Sequence, residues 1–523
     1  MNIDLLYPNE EAKSKKIKNT GFYEELGFGN ALFFGTTRLF GSINEENHIT
    51  DYITTDTETI KYRLDIFDDF INNKKLRSAI EKNLPRLVEL VEMKNNRAED
   101  NEVTTHLYSL TEMDIYFDTM KNFSEGLNEI KGEIKADAIK NLADFISEKV
   151  NSAEYKDMQA KIVEAMEEVK NIKSVTIGVN LDAQLRPKEA GIVSVNSEPF
   201  KSGNLIDKIL RMDFKNDAFF CQTPLEIATK NMTPDEVSAF FMTLDSSMDA
   251  IFKNSIKKWH PMVKEFIGIN TDFLIDIVDQ LNFYMAGVAM IDKLKTFRLK
   301  VCKPEIHKME EKTCHISGLY NPLHAIRENL RDMATNSIVC DQYGQLYILT
   351  GSSKSGKSMF TKALGVAQVM FQLGMYVPAD NAALSPVENL FAQCPDNTAV
   401  EKSKTKVEEE CAKIGEMVKG VTADSMVIID DILQSASAVE ASYILTQALL
   451  KIGKAGARGV VATSLTDIAD NADDFNKQIG DKGSKIDTLI TKTEHDRPVF
   501  VIERERPEGV VFAKEIASKY GIA

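Results

Sequence analysis

Eight consecutive residues, Gly351-Ser352-Ser353-Lys354-Ser355-Gly356-Lys357-Ser358, satisfy G-x-x-x-x-G-K-[ST] at every fixed position. Such a loop grips phosphate because successive backbone N–H groups converge on it, helped by the positive end of the helix that follows. Lys357 is suited to bridge the β- and γ-phosphates of a nucleoside triphosphate, and the Ser358 hydroxyl to hold Mg²⁺. Seventy-three residues after Lys357, Met426-Val427-Ile428-Ile429 runs into Asp430-Asp431. Four apolar residues ending in two carboxylates read as a buried strand with its acids at the C-terminal edge, where ligands gather in open α/β sheets. There Asp430 is expected to hold Mg²⁺, directly or through water, and Asp431 to orient the attacking water. An acidic pair at a strand end is commonplace; with the upstream loop it points to Mg–ATP hydrolysis.

These groups need elements to aim them. Leu346-Tyr347-Ile348-Leu349-Thr350 reads as a buried parallel strand before the loop, and Met359, Phe360, Ala363, Leu364 and Ala367 begin a helix after it. Gly459-Val460-Val461-Ala462-Thr463-Ser464 is a third strand, ending where such ATPases place a polar sensor of the γ-phosphate, with Ser464 as candidate. Val499-Phe500-Val501-Ile502 is a fourth, followed by a turn at 507–509 and a closing helix from Ala513 to Tyr520. Upstream, 55–170 is helical and charged, with helices expected from Thr57 through Phe70 and over 75–93, 105–131 and 133–169. Alternation at 174–181 and 191–195 predicts a small strand pair within 174–196. Helices resume near 204–212 and after the cap Thr233-Pro234-Asp235-Glu236, continuing to about 300. The expected domains are a segment 1–50 whose fold is not legible, a helical core or lever at 51–305, and a nucleotide-binding domain at 306–523.

With 523 residues, 43% apolar and 27% charged, the chain suggests several globular domains. No uninterrupted apolar run approaches the ~18 residues of a membrane span, and the start lacks a signal-peptide pattern, so the expected compartment is the cytoplasm with no membrane partner. Six cysteines without a C-x-x-C pair suit reduced thiols, and Cys302, His307, Cys314 and His315 match no common zinc spacing. A net charge of −16 disfavours wholesale coating of nucleic acid but permits a local basic groove.

From about 315 to the end the sequence resembles the MutS family, the DNA mismatch-repair ATPases and their relatives. Tyr376-Val377-Pro378-Ala379 is similar to the family's YVPA, and Ala462-Thr463-Ser464 to its ATH. Asp430-Asp431-Ile432-Leu433, then Glu440-Ala441, falls where the family has an acidic pair, a glycine-rich loop and EG. Gly318-Leu319-Tyr320-Asn321-Pro322 looks like a degenerate GRHP, and the stretch 512–522 like the family's closing helix. Asp56-Thr57-Glu58-Thr59-Ile60 with Arg63-Leu64 is similar, less specifically, to the start of the helical core.

The resemblance implies an α + α/β protein, a long helical lever followed by an ABC-type P-loop ATPase domain with a mostly parallel sheet. It implies ATP and Mg²⁺ as cofactors, a homodimer joined through the ATPase domain, and DNA as ligand. It also implies that Ser403, which keeps the family's spacing to Glu408, reaches in trans to the partner's γ-phosphate. Four departures point to slow turnover. Asp431 stands where most relatives have Glu, shortening the arm by roughly 1.5 Å, and misplacement of that order can cost ~10²-fold. Ser464 replaces the switch histidine, 433–437 lacks glycines, and 334–341 offers no aromatic to stack on adenine. About fifty residues precede the helical core, too few for a mismatch-reading domain with its phenylalanine wedge, so mismatch specificity is not expected. The strand pair, with Lys170, Lys173, Arg186, Lys188 and Lys201 around it, is either a reduced DNA clamp or a structural brace. Two other functions remain open: a nucleotide-gated binder of a protein or a ribonucleoprotein such as the ribosome, and a degenerate ATPase that keeps ATP as a structural ligand.

Overall fold

The computed structural model describes residues 3–28, 49–95, 102–199, 233, 242, 255–267, 273–352, 354–395, 404–494 and 497–506. Ser353, Ser403, Lys201, the segment 204–212, the cap at 234–236 and the closing helix 513–520 lie outside the described residues.

The chain divides into two compact units. The first comprises Ala79–Lys131 and Leu142–Val278 with Met1; the second comprises Asn2–Ser78, Gly132–Asn141 and Asp279–Ala523. Their limits do not follow the sequence boundaries at 50 and 305.

Along the chain come α1 (Phe22–Glu25), α2 (Thr57–Asn72), α3 (Lys74–Asn95), α4 (Glu102–Ile130), α5 (Asp137–Asn151) and α6 (Ala153–Lys170). Asp56 starts α2 by accepting the Thr59 N–H at 3.0 Å, and the helix buries Ile60, Leu64, Phe67 and Phe70 at i, i+4, i+7 and i+10. The helix expected over 133–169 is instead two. Ser152 breaks the run, and its hydroxyl accepts the Tyr155 N–H at 3.1 Å as the cap of α6. An antiparallel ribbon follows, β1 (Ser174–Leu181) and β2 (Pro187–Asn196). Residues 255–267 are helical, and α7 (Phe273–Thr296) comes next. Among the described helices α7 alone is long and apolar enough to cross a membrane, but most of that stretch is buried inside the fold.

Then come β3 (Glu305–Ile306), β4 (Cys314–Leu319), α8 (Pro322–Glu328), β5 (Asn336–Val339), β6 (Leu346–Thr350), α9 (Lys357–Gln372), β7 (Asn381–Leu384) and β8 (Asn389–Gln393). The last are α10 (Lys404–Gly420), β9 (Ser425–Asp430), α11 (Ala438–Ala455), β10 (Arg458–Ala462), α12 (Thr466–Asp470), α13 (Ala472–Ile479), β11 (Ile486–Glu494) and β12 (Arg497–Glu503). One sheet runs β12-β11-β6-β10-β9-β8, parallel throughout except for the antiparallel β11–β12 pair. A smaller sheet runs β3-β7-β4-β5. This is the expected helical region followed by an α/β domain with a mostly parallel sheet. The four sequence-read strands are present, but β11, which pairs directly with β6, was not among them.

The N-terminal residues belong to the second unit. Leu5 donates its N–H to Gln280 at 2.7 Å, and Tyr284 donates to Leu5 O at 2.6 Å. Asn19 satisfies both backbone groups of Leu390 on edge strand β8, at 2.6 and 2.9 Å. Leu26 packs against Gly365 of α9, where a Cβ would stand 2.7 Å from its methyl group.

Candidate functional site

β6 is buried along its whole length because β10 and β11 flank it. The chain leaving it must turn sharply to start α9, and does so with Gly351 at φ 148°, Lys354 at φ 62° and Gly356 at φ 98°. A Cβ on Gly351 would lie 1.8 Å from Thr491 Oγ1 of β11. Gly356 occupies the N-cap of α9 with no side chain closing that end, which leaves the first-turn N–H groups aimed at the loop's concavity.

Lys357, the first residue of α9, is buried and folds its ammonium back on the loop, donating to Gly351 O at 2.9 Å and Ser352 O at 3.1 Å. Burial lowers its pKa, and Asp431 and Asp430 pull it back up. Ser355 Oγ donates to Ser352 O at 2.7 Å and closes the loop on itself.

β9 brings in Asp430 from between β10 and β8, with none of its surface exposed. Neither carboxylate oxygen has a hydrogen-bond partner. Burial raises its pKa; the Ser358 hydroxyl, lying close without closing a hydrogen bond, and the Lys362 and Lys357 ammoniums oppose the rise, while Asp431 adds to it. Asp431 sits in the left-handed region at φ 40°. Its N–H donates to Ala462 O at 2.9 Å, and its Oδ1 accepts the Ser464 N–H at 3.1 Å. Ser464 therefore meets the acid through its backbone, with its side chain exposed.

Lys354–Ser358 and Asp431 border a cleft of about 600 Å³, within the size range of small-molecule sites. Gln434, Asn321, His324, Leu330, Met333, Asn336 and Phe500 also line it. No aromatic comes from 334–341, but β12 supplies Phe500, whose ring would touch a Cβ on Gly356 at 3.3 Å. Phe500 has φ 57° at the irregularity of the β11–β12 ladder, and Asn336 Nδ2 donates to its carbonyl at 3.0 Å. The signal missed in the sequence was an aromatic in a strand that reaches the loop only through sheet order.

The donors suit a hard divalent cation: a hydroxyl and a buried carboxylate with two unpartnered oxygens, which magnesium's preference for oxygen ligands fits. The histidines and cysteine between 307 and 315 are engaged elsewhere or buried. Cys314 is buried, His315 bonds the Cys340 carbonyl, and His307 bonds Glu311, and no metal-binding group of three ligands occurs among the described residues.

The chain matches the model of MutS domain V over residues 347–503 and that of the MutS2 N-terminal domain over 55–297. Among curated proteins it is similar to Endonuclease MutS2 of Thermus thermophilus, 28% identical over 149 residues, covering 28% of this chain and 20% of that protein. It is also similar to DNA mismatch repair protein MSH3 of Scheffersomyces stipitis, 22% identical over 371 residues, covering 63% of this chain and 35% of that protein. The matches thus span between a fifth and about a third of those relatives' length.

Proposed function

We propose, on the premise that this chain belongs to the MutS family, that it is a slow Mg–ATPase that works as a homodimer and binds DNA. One observation carries the reading. Asp430 buries two unpartnered carboxylate oxygens beside Ser358 and Lys357, an arrangement that is costly unless a cation completes it.

In this reading the triphosphate lies along Gly351, Ser352, Ser353, Lys354, Ser355, Gly356, Lys357 and Ser358. Lys357 exchanges the Gly351 and Ser352 carbonyls for phosphate oxygens. Ser358 and Asp430 would hold Mg²⁺, which neutralises phosphate charge when bound. Asp431 orients the attacking water, its carboxylate fixed by the Ser464 amide. The short Asp431 arm and the lack of a titratable group at Ser464 make the step slow. The second copy contributes Ser403 in trans. In support of a face between copies, Val439 and Tyr443, one turn apart on α11 just beyond Gln434–Ser437, are 80% and 68% exposed.

Phosphate contacts by Lys173, Arg186 and Lys188 of the ribbon would serve DNA binding; Lys170 pairs with Asp114 at 3.2 Å. A protein or ribonucleoprotein partner is the second reading, favoured by the apolar residues the ribbon exposes, Val179 at 49%, Leu181 at 52% and Val193 at 70%.

The test is ATP binding by calorimetry, ATP-dependent dimerisation by sedimentation, and duplex binding across a salt series. Lys357→Ala should abolish the first two, and wild-type DNA affinity should fall with salt. Binding that ignores nucleotide, or shows no salt slope, removes the DNA-clamping reading. A wild type that binds ATP yet hydrolyses it no faster than Asp431→Asn leaves a structural ligand in its place.

A further inference from the structure

We propose that Glu410 is a positioning residue for the Asp431 carboxylate, and that Glu25 of the N-terminal segment fixes the helix from which Glu410 acts. This rests on the reading of Asp431 as the group that orients water.

The loop after β9 carries two left-handed residues that are not glycine, Asp431 at φ 40° and Leu433 at φ 63°. Such backbone persists only where surrounding contacts over-determine it. Four contacts are local or come from the exit of β10, one of them the Ser464 N–H donated to Asp431 Oδ1. Asp431 N–H meets Ala462 O, Gln434 Nε2 donates to Asp431 O at 3.0 Å, and the Ala436 N–H donates to Leu433 O at 3.0 Å. The fifth comes from α10: Glu410 Oε2 accepts the Leu433 N–H at 3.1 Å. A carboxylate is the stronger kind of acceptor for an amide, and this one grips the loop two residues past the acid.

α10 is itself held. Gln393 Nε2 donates to the Glu410 carbonyl at 3.3 Å. One helical turn beyond Glu410, Lys413 Nζ pairs with Glu25 Oε1 at 3.0 Å, while Glu25 Oε2 accepts the Cys394 N–H at 2.9 Å. Glu25 thus ties the end of β8 to α10. Its own short helix is anchored by buried Phe22 and by Leu26 against α9, the helix that begins with Lys357. The acid's loop is therefore referenced, through α10 and the N-terminal segment, to the same helix into which the phosphate loop runs.

The experiment measures steady-state Mg–ATP hydrolysis by the full chain and by Glu410→Ala, Glu410→Gln, Glu25→Ala and Asp431→Asn, together with hydrogen exchange of the Leu433 amide. Glu410→Ala should lower kcat about tenfold, with KM for ATP within about twofold, and Glu25→Ala about threefold, since sub-ångström to ångström displacement of a catalytic group is felt mainly in kcat. Glu410→Gln keeps an acceptor oxygen and should regain most of the rate. Leu433 exchange should accelerate in Glu410→Ala and stay slow in Glu410→Gln. A Glu410→Ala protein with wild-type kcat and a protected Leu433 amide overturns the proposal, as does a Gln variant as impaired as the Ala one. If Asp431→Asn matches the wild type, the reading of Asp431 falls instead, and Leu433 exchange still decides whether Glu410 holds the loop.

Discussion

Two loops meet at the cleft, and they reach unusual backbone geometry by different means. The phosphate loop turns at Gly351 and Gly356, residues without a Cβ to clash, with Lys354 its one described left-handed residue that is not glycine. The acid loop turns at Asp431 and Leu433, which carry side chains, and is kept there by Ala462, Ser464 and Glu410. The first shape is intrinsic to its sequence. The second is imposed from outside, so the first should tolerate changes to its neighbours and the second should respond to them.

The largest expected effect is at Gly351. Gly351→Ala places a Cβ against Thr491 at a φ that L residues avoid, and should cost ~2–5 kcal/mol by denaturant unfolding; a variant of native stability would break the contrast. Next is Asp430. Replacing its unpartnered carboxylate by Asn should stabilise the nucleotide-free protein by ~1–3 kcal/mol at pH 7 while abolishing the Mg²⁺-dependent stabilisation by ATP. The sign follows from its raised pKa. The folded protein holds this proton more tightly than the unfolded chain, so stability falls as pH rises from 3.8 through the raised value. The Asn advantage should therefore be full above that range and vanish below it.

Asp431→Glu sharpens the contrast from the other side. Lengthening the arm should raise kcat about tenfold if the held loop keeps its geometry; an unchanged or lower rate in a stopped assay would mean the loop, not the arm, limits turnover. The smallest effect concerns Asp341, whose carboxylate the Arg504 guanidinium, at 2.7 and 3.0 Å, holds down to about 2. Its contribution is present above 3.8 and is lost as pH falls toward 2, and it should amount to at most ~1 kcal/mol for so exposed a pair. Comparing acid titrations of unfolding free energy for wild type and Arg504→Ala measures it.

Legibility in the sequence followed the same division. The phosphate loop announces itself because glycine, lysine and serine are each required by local geometry. The strand carrying Asp430 was readable because Met426–Ile429 are uniformly apolar and wholly buried. β11 escaped notice because Asp487, Thr488 and Thr491 interrupt its apolar run, although Thr488 and Thr491 are themselves buried in the sheet. The single helix read over 133–169 failed at Ser152, since a serine within charged helical sequence looks the same whether it caps or continues. The role of residues 3–28 depends on partners hundreds of positions away, such as Asn19 with Leu390. Glu410 is one of three consecutive glutamates, and only the fold distinguishes it from Glu408 and Glu409.

The grip of Asn19 on both backbone groups of Leu390 carries a consequence for solubility. β8 ends the six-stranded sheet, and an unsealed outer strand offers a ready template for pairing with foreign chains. The amide side chain stands in for that missing neighbour. A polypeptide trimmed of its first twenty residues would leave the Leu390 N–H and carbonyl without Asn19, and its first symptom should be self-association in the test tube rather than a change at the phosphate loop.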